Sequence, residues 1–251
     1  MSDSGAAAAP ELPRISIVVP SWRDADNLAV LLPKLASIPG IAQTIVVDAS
    51  GDERSAQIAR DCGAMLFKCS APNRGAQMNV GATFASGDVV IFHHADTDLN
   101  AEQIASLQNA MRDPQIIGGA FHRKFDDRHR RLKFLEKAGR YLSEHGGTLY
   151  GDQSIFVRRE VFLRMQGFAQ IPLMEDVEFS KRLRAAGKLA ILDPPVSTSA
   201  RRHQRKGAWR TTIQNGLFIV LYKLGVSPVT LHRWYYESGN IPVAATDERT
   251  T

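Results

Sequence analysis

Between Asp88 and Asp98 the chain reads DVVIFHHADTD, an apolar, β-branched run from Val89 to His93 that breaks into His94, Ala95, Asp96, Thr97 and Asp98. Imidazole and carboxylates therefore gather where a strand should end. In an open parallel α/β sheet the carboxyl ends of the strands line the ligand crevice. Carboxylates there can hold a divalent cation against phosphate, because Mg²⁺ and Mn²⁺ take oxygen ligands and share them with substrate phosphates. The plain alternative is that Asp96 and Asp98 solvate a loop and cap the helix behind it. Two more acids occupy comparable places: Asp48 closes the run QTIVVD, and Asp176 lies at a helix start in MED. A carboxylate at a strand end can accept hydrogen bonds from a base or ribose. Arg74, beside Gly75 at a helix start, suits a pyrophosphate, since guanidinium fork, backbone N–H groups and helix dipole all favour an anion. Each of these alone is equally well a cap or a surface ion pair. Their order and spacing together carry the signal.

The elements that must position these groups follow from hydrophobic periodicity. RISIVVP (14–20), QTIVVD (43–48), AMLFK (64–68) and the Asp88 run read as strands. Helices fall between them: one carrying Leu28, Leu31, Leu32 and Leu35 and capped by Asp24 or Asp26, one over about residues 53–62, and one opening at Asn73-Arg74-Gly75. Four strands alternating with three helices predict a doubly wound, mostly parallel sheet. Asn100, with Gln103 three residues on, predicts a capped helix. Beyond Pro114 the rhythm changes. IIGGAFHRKF (116–125) reads as a longer, more exposed strand, 128–144 as a basic amphipathic helix, SIFV (154–157) and LAILD (189–193) as short strands, and the rest as helices ended by glycines.

The balance of 44% hydrophobic and 23% charged residues fits a globular protein, and the formal charge of +5 points to an anionic partner. Cys62 and Cys69 form neither a disulfide framework nor a zinc pattern, which fits a reducing compartment. No recognised nucleic-acid motif accompanies the charge, and no stretch approaches the roughly 20 apolar residues that span a bilayer. Residues 1–13 read as a loose tail. His93 reads as a satisfied interior histidine, and His122, His129, His145 and His232 as surface residues.

The motifs Pro20 with Asp24, VVDAS (46–50), NRGAQMNVGA (73–82), GDVVIFHHAD (87–96) and MEDVEFSKRLRAAGK (174–188) resemble glycosyltransferase family 2, inverting sugar-nucleotide transferases of GT-A-type fold. RGAQMN, YGDQSIFVRREVF, IPLMEDVEFSKRL and GAWRTT look more narrowly like the subgroup labelled radical-SAM/selenodomain-associated transferase 2. The resemblance covers roughly 14–235. It implies a GT-A-type domain over 14–199, with a nucleotide-binding half (14–100) and an acceptor-side half (101–199). A basic loop with C-terminal helices (200–238) and a tail (239–251) would follow.

That likeness also implies roles. Asp48 matches the acid that binds the nucleobase, commonly uracil, so a UDP-sugar is the expected donor. Pro20, Asp24, Arg74, Gln77 and Asp96 fall on nucleotide-binding positions, with Arg23-Asp24 where relatives carry Asn-Glu. Asp96 matches the metal-binding acid of the family's Asp-x-Asp, and His94 replaces the first acid. Imidazole tolerates Mn²⁺ better than Mg²⁺, and Asp98 offers a further carboxylate. Asp176 matches the catalytic base. Glu175 either orients the acceptor or caps its own helix. Asp152 and Gln153 are acceptor or sugar contacts, or structural. His203 and Arg205, in RRHQRKGAWR, match a loop that related folds bring over the diphosphate.

The expected activity is metal-dependent, inverting transfer to a hydroxyl acceptor by a cytoplasmic protein. The basic and aromatic C-terminal helices fit either the inner face of a membrane, with a lipid-linked acceptor, or packing against the sheet. Two alternatives stand beside this: a nucleotidyltransferase of related fold, although PSWRD lacks that class's glycine-rich loop, and a degenerate nucleotide-sugar-binding protein without catalysis.

Overall fold

The structure, a computed structural model, describes residues 11–125, 130–198 and 208–237. Its first half alternates β1 (Ile15–Ser21), α1 (Ala25–Ser37), β2 (Ile41–Asp48), α2 (Glu53–Asp61), β3 (Met65–Lys68), α3 (Arg74–Thr83) and β4 (Val89–Phe92). The strands lie in the order β3-β2-β1-β4 and all run parallel, as expected. β1 buries every residue from Ile15 to Ser21, and β4 buries Val89 to Phe92. A strand covered on both faces has no polar side to show, which is why these segments read as unbroken apolar runs.

The second half adds β5 (Thr97–Asp98), α4 (Ala101–Ala110), β6 (Ile116–Phe125), α5 (Arg130–Glu144), a 3-10 turn (Gly151–Gln153), β7 (Phe156–Arg158), α6 (Arg159–Arg164), α7 (Glu175–Ala186) and β8 (Lys188–Thr198). Two helices, α8 (Ala208–Lys223) and α9 (Pro228–Glu237), follow. The sheet continues from β4 as β7-β6-β8-β5. β7 runs antiparallel between β4 and β6, β6 pairs parallel with β8, and β5 closes the edge antiparallel to β8. The capping box at the head of α4 is present, with Asn100 and Gln103 bonding reciprocally.

Three features depart from expectation. β6 is an interior strand, because β7 and β8 flank it and α5 packs on it. His122 is therefore buried rather than on the surface, with Nε2 3.2 Å from Glu144 Oε1. β8 does not stop at Asp193 but passes two prolines to Thr198. Phe121 pairs with Leu192 and Arg123 with Val196, so three residues bulge opposite one and the prolines leave the ladder. Helix α4 satisfies the released carbonyls: Gln103 Nε2 donates to Pro195 O (2.7 Å) and Ser106 Oγ to Asp193 O (2.6 Å).

A core lies on each face of the sheet. On one face Leu28, Leu31, Leu32 and Leu35 of α1 and Ile104 and Leu107 of α4 meet Ile15, Ile17, Val19 and Ile91. On the other, Met78 and Ala82 of α3, Phe162 of α6, and Phe179 and Leu183 of α7 cover Val18, Val47, Val90 and Phe92. Phe92, Phe162, Phe168 and Phe179 form one ring cluster, the tightest pair with centroids 4.3 Å apart.

Helix α3 sits unusually close to the strands. A Cβ on Gly81 would lie 2.3 Å from Val18 Cγ1, so only glycine lets α3 dock at this depth. Glycine costs a helix interior about 1 kcal/mol against alanine, yet overpacking a filled core costs about 1–3 kcal/mol. Gly81→Ala should therefore destabilise the fold by about 1–2 kcal/mol. Gly139→Ala in α5, where nothing lies within 4 Å of the added Cβ, should be neutral or stabilise by up to about 1 kcal/mol. Urea unfolding of both variants checks the opposite signs.

Candidate active site

The carboxyl ends of β1, β2 and β4, the turn before β7 and the head of α7 meet in one crevice. Gln77, buried on α3, fixes its floor: Nε2 donates to Ser21 O and Val47 O, both at 2.8 Å. These carbonyls lie at the ends of two parallel strands, where Ser21 O also accepts Ala49 N–H (2.9 Å), and the amide joins the strand ends to the helix. Pro20 is buried in β1. The Asp48 carboxylate, 1% exposed, accepts from Ser21 Oγ (3.1 Å), Ser50 N–H (3.1 Å) and Oγ (2.8 Å), and Gly51 N–H (2.9 Å). Asp24 accepts from Trp22 N–H and Asn27 Nδ2. Both acids thus shape the turns that frame a cleft of about 360 Å³ lined by Arg23, Ala25, Asp26, Ser50, Asp52 and Arg54. The Arg23 guanidinium lies 4.9 Å from the Trp22 ring centroid, and Arg54 Nη1 pairs with Asp26 at 2.7 Å.

His93 holds the loop after β4. Its Nε2–H donates to Thr97 O (2.9 Å), which leaves Nδ1 to accept from Ser154 Oγ (2.8 Å). Complete burial pushes its pKa down to about 4, so the ring stays neutral at any working pH, as an interior histidine should. The loop it anchors leaves His94 and Asp96 half-buried. Asp98 turns to α1, where Lys34 Nζ meets it at 2.6 Å. Among the described residues no three His, Cys, Asp or Glu side chains gather as a cage. The donor set of one carboxylate with an imidazole nearby fits a cation that shares its shell with ligand phosphates, as Mg²⁺ and Mn²⁺ do.

The head of α7 carries the strongest electrostatics. Asp176 is half-buried; its Oδ2 accepts Gly151 N–H (2.9 Å) and its Oδ1 accepts Val177 N–H (2.8 Å). His94 faces the same turn: a Cβ on Gly151 would lie 2.8 Å from His94 Nε2 and 3.7 Å from Asp176 Oδ2. Glu175 is buried, and Arg74 Nη1 approaches its Oε1 to 3.9 Å. Burial and the Asp176 charge push Glu175 up to about 7, and burial pushes Asp176 up as well. Met174, just before them, has φ 70°, and Arg23 (55°) and Ser154 (51°) share this left-handed backbone. Such conformations cost about 1–3 kcal/mol each for side chains like these and cluster where a site is over-determined.

Asp152 pairs with Arg123, and Gln153 Nε2 donates to Phe121 O (3.2 Å) and Ser143 Oγ (3.1 Å). Gln153 thereby pins the 3-10 turn to β6 and α5. Arg74, Glu175, Asp176 and His94 come together around Gly151 and the head of α7, Asp96 lies half-buried on the loop that carries His94, and Asp98 points to α1. His203 and Arg205 lie outside the described residues. The residues that escape sequence reasoning are Ser21, Ser50, Gly151 and the cleft pair Asp26–Arg54. Only strand register, which sets Ser21 opposite Asp48, brings them into view.

Comparison with known proteins decides the family. Residues 16–167 match the model for Glycosyl transferase family 2, more than half of the chain. The chain belongs to glycosyl transferase family 2. It is 30% identical over 95 residues to a 4,4'-diaponeurosporenoate glycosyltransferase of Staphylococcus haemolyticus (strain JCSC1435), covering 35% of this chain and 25% of that protein. With an N-acetylglucosaminyltransferase of Rhizobium leguminosarum bv. trifolii it shares 26% identity over 117 residues, 42% of this chain and 64% of that one. The chain thus spans less than two thirds of either relative.

Among solved structures, the mannosyltransferase PcManGT from Pyrobaculum calidifontis in complex with GDP-Man and Mn²⁺ superposes with a TM-score of 0.62. It is 19% identical, over 87% of this chain and 67% of that one. S. aureus TarS 1-349 in complex with UDP-GlcNAc gives 0.61 at 16% identity, over 74% and 58%. At these identities the likeness is one of fold, and the family 2 chain has the GT-A-type α/β architecture.

An acid whose pKa is raised on folding holds its proton more tightly in the folded state, so protonation favours the fold and deprotonation costs stability. For Glu175 that contribution is complete below about 4.5 and lost as pH rises through about 7. Glu175→Gln should therefore gain stability relative to wild type between pH 5 and pH 8, on the order of 2–3 kcal/mol. Urea unfolding at the two pH values reads the difference.

Proposed function

We propose that this chain transfers a sugar from a nucleoside-diphosphate sugar to a hydroxyl acceptor, with inversion and with Asp176 as general base. The observation that carries this reading is the Asp176 carboxylate. Each oxygen is fixed by one backbone N–H, and each keeps a lone pair for a hydroxyl proton. Arg74, at the α3 N-terminus, and the helix dipole supply positive charge for a departing diphosphate. Base and leaving group on opposite sides of the sugar carbon give in-line displacement. The nucleoside would enter the cleft beside Asp48 and Asp24, with Pro20 and Gln77 holding its floor.

Solved structures of similar fold in complex with GDP-Man or UDP-GlcNAc support the donor class, and the family resemblance favours a UDP-sugar. Asp96 with His94 would hold a divalent cation, Mn²⁺ before Mg²⁺, with Asp98 as a further carboxylate if Lys34 releases it. Such a cation supplies charge neutralisation at the diphosphate. Residues 14–100 would serve the donor and 101–199 the acceptor. Asp152, Gln153 and Glu175 stand on the acceptor side, and the family resemblance favours His203 and Arg205, which lie outside the described residues, as diphosphate contacts.

Among the described residues no helix is long and apolar enough to cross a membrane. Leu217 and Val220 of α8 and Leu224 just past its end, each more than half exposed, follow one another at helical spacing with Lys223 nearby. That stripe fits the inner face of a membrane and a lipid-linked acceptor reached from the cytoplasm. Vesicles of anionic and of neutral lipid test it. Cosedimentation with the anionic kind, weakened by Leu217→Ser/Leu224→Ser, supports the reading, and none with either kind refutes it.

Asp176→Asn should lower kcat by about 10²–10⁴-fold and leave nucleotide affinity within a few-fold, measured by transfer assays and calorimetry. In thermal shift, one nucleoside diphosphate with Mn²⁺ should stabilise the native state by about 2.7 kcal/mol at 100 times its dissociation constant. Asp96→Ala should lose the metal-dependent part. Silence from every nucleotide, with and without metal, refutes the transferase reading, and binding without turnover across donors and acceptors indicates a degenerate binding protein.

A further inference from the structure

Glu175 is a buried acid to which the proposed transfer gives a place on the acceptor side but no step. It is the first residue of α7, its side chain is 7% exposed, and its neighbour is the base itself. The backbone treats the two acids differently. Asp176 receives N–H groups from Gly151 and Val177, whereas Glu175 depends on its own N–H and on Arg74 across 3.9 Å. That distance is beyond hydrogen-bond contact, and Arg74 is 45% exposed toward the crevice. The charged groups that face Glu175 are Arg74 from α3 and Asp176 on its own helix. Arg74 also acts on Asp176, as do Tyr150 and Asp152 of the 3-10 turn, but Asp176 keeps its two N–H bonds when Arg74 is engaged, and His94 reaches that turn at Gly151.

We propose that Glu175 is a positioning residue that takes a proton from solvent when a donor diphosphate engages Arg74, leaving Asp176 the one anion of this adjacent pair. The inference rests on reading the crevice as a nucleoside-diphosphate-sugar site. A diphosphate oxygen seated on the guanidinium offsets its field at the carboxylate 3.9 Å away, even where a cation balances the remaining phosphate charge. Arg74 is the neighbouring charge that holds Glu175 down, against burial and Asp176, which push it up. A ligand that occupies Arg74 therefore moves Glu175 further up, and the buried carboxylate is neutralised by one proton with no other bond changed. Uptake is largest above pH 7, between the free and bound values, and fades by pH 5, where Glu175 already holds its proton.

The test is calorimetric. UDP and GDP are titrated into the full chain with Mn²⁺ at pH 7.5, in two buffers of different ionisation heat. Wild type should take up a substantial fraction of a proton per nucleotide bound, and Glu175→Gln should bind without that uptake. The nucleotide's own ionisation is common to both chains and cancels in the difference. A second arm needs no nucleotide: in Arg74→Gln, a carbon-detected NMR titration should show Glu175 releasing its proton at higher pH than in wild type.

Binding with equal proton uptake in wild type and Glu175→Gln overturns the inference and leaves the donor reading intact. An unmoved Glu175 titration in Arg74→Gln does the same. Failure of both nucleotides to bind overturns the donor reading, and this inference with it.

Discussion

Two carboxylates on consecutive residues repel each other wherever water reaches them poorly, and at the head of α7 one is buried and the other half-buried. The rest of the crevice answers that constraint. The helix N-terminus faces them with positive potential, Gly151 and Val177 give Asp176 two N–H groups, and α3 brings Arg74 to Glu175. Arg74 can stand there because Gly81 lets α3 sink onto Val18. A left-handed Met174 then turns the chain sharply into the helix. Packing on the far side of α7, through Phe179 and Leu183, keeps the acids from drifting back to water.

The donor half was legible because its physics is local. β1, β2 and β4 are covered on both faces, so each announces itself as an apolar run, and the acid or histidine that breaks the run marks a crevice edge. Asp48 and Asp96 could be picked out this way, and Arg74 by its place beside Gly75 at a helix start. What they do could not. Asp48 and Asp24 spend their lone pairs on Ser21, Ser50, Gly51, Trp22 and Asn27, and Gln77 binds strand ends. These are pairings across strands, fixed by register, and no spacing along one chain encodes them.

The acceptor half hides for a related reason. β6 ends in His-Arg-Lys and reads as exposed, yet β7, β8 and α5 enclose it. Its His122 has Glu144 and Asp193 as neighbours, residues 22 and 71 positions away in the sequence. β8 passes two prolines only because a bulge takes them out of the ladder and α4 receives their carbonyls. A proline read by itself argues for the end of a strand, and the partner that overrules it lies some 90 residues earlier.

The reversed direction of β7 has a consequence for how the rim is assembled. Along a run of parallel strands, one rim is built solely from segments that leave strands, while segments that enter them gather at the opposite rim. β7 inverts this arrangement locally: Phe156, its first residue, stands beside Ile91 near the end of β4. The stretch that enters β7, with Gly151 and Ser154, is thereby delivered to the same rim as the loop leaving β4. One margin is thus woven from chain of both senses, and its two sides have separate tethers. The span between Gly146 and Ser154 is held to α7, β6 and His93 through Gly151, Gln153 and Ser154, while the turns behind β1 and β2 keep their own anchors, so a shift on one side of the crevice need not be passed to the other.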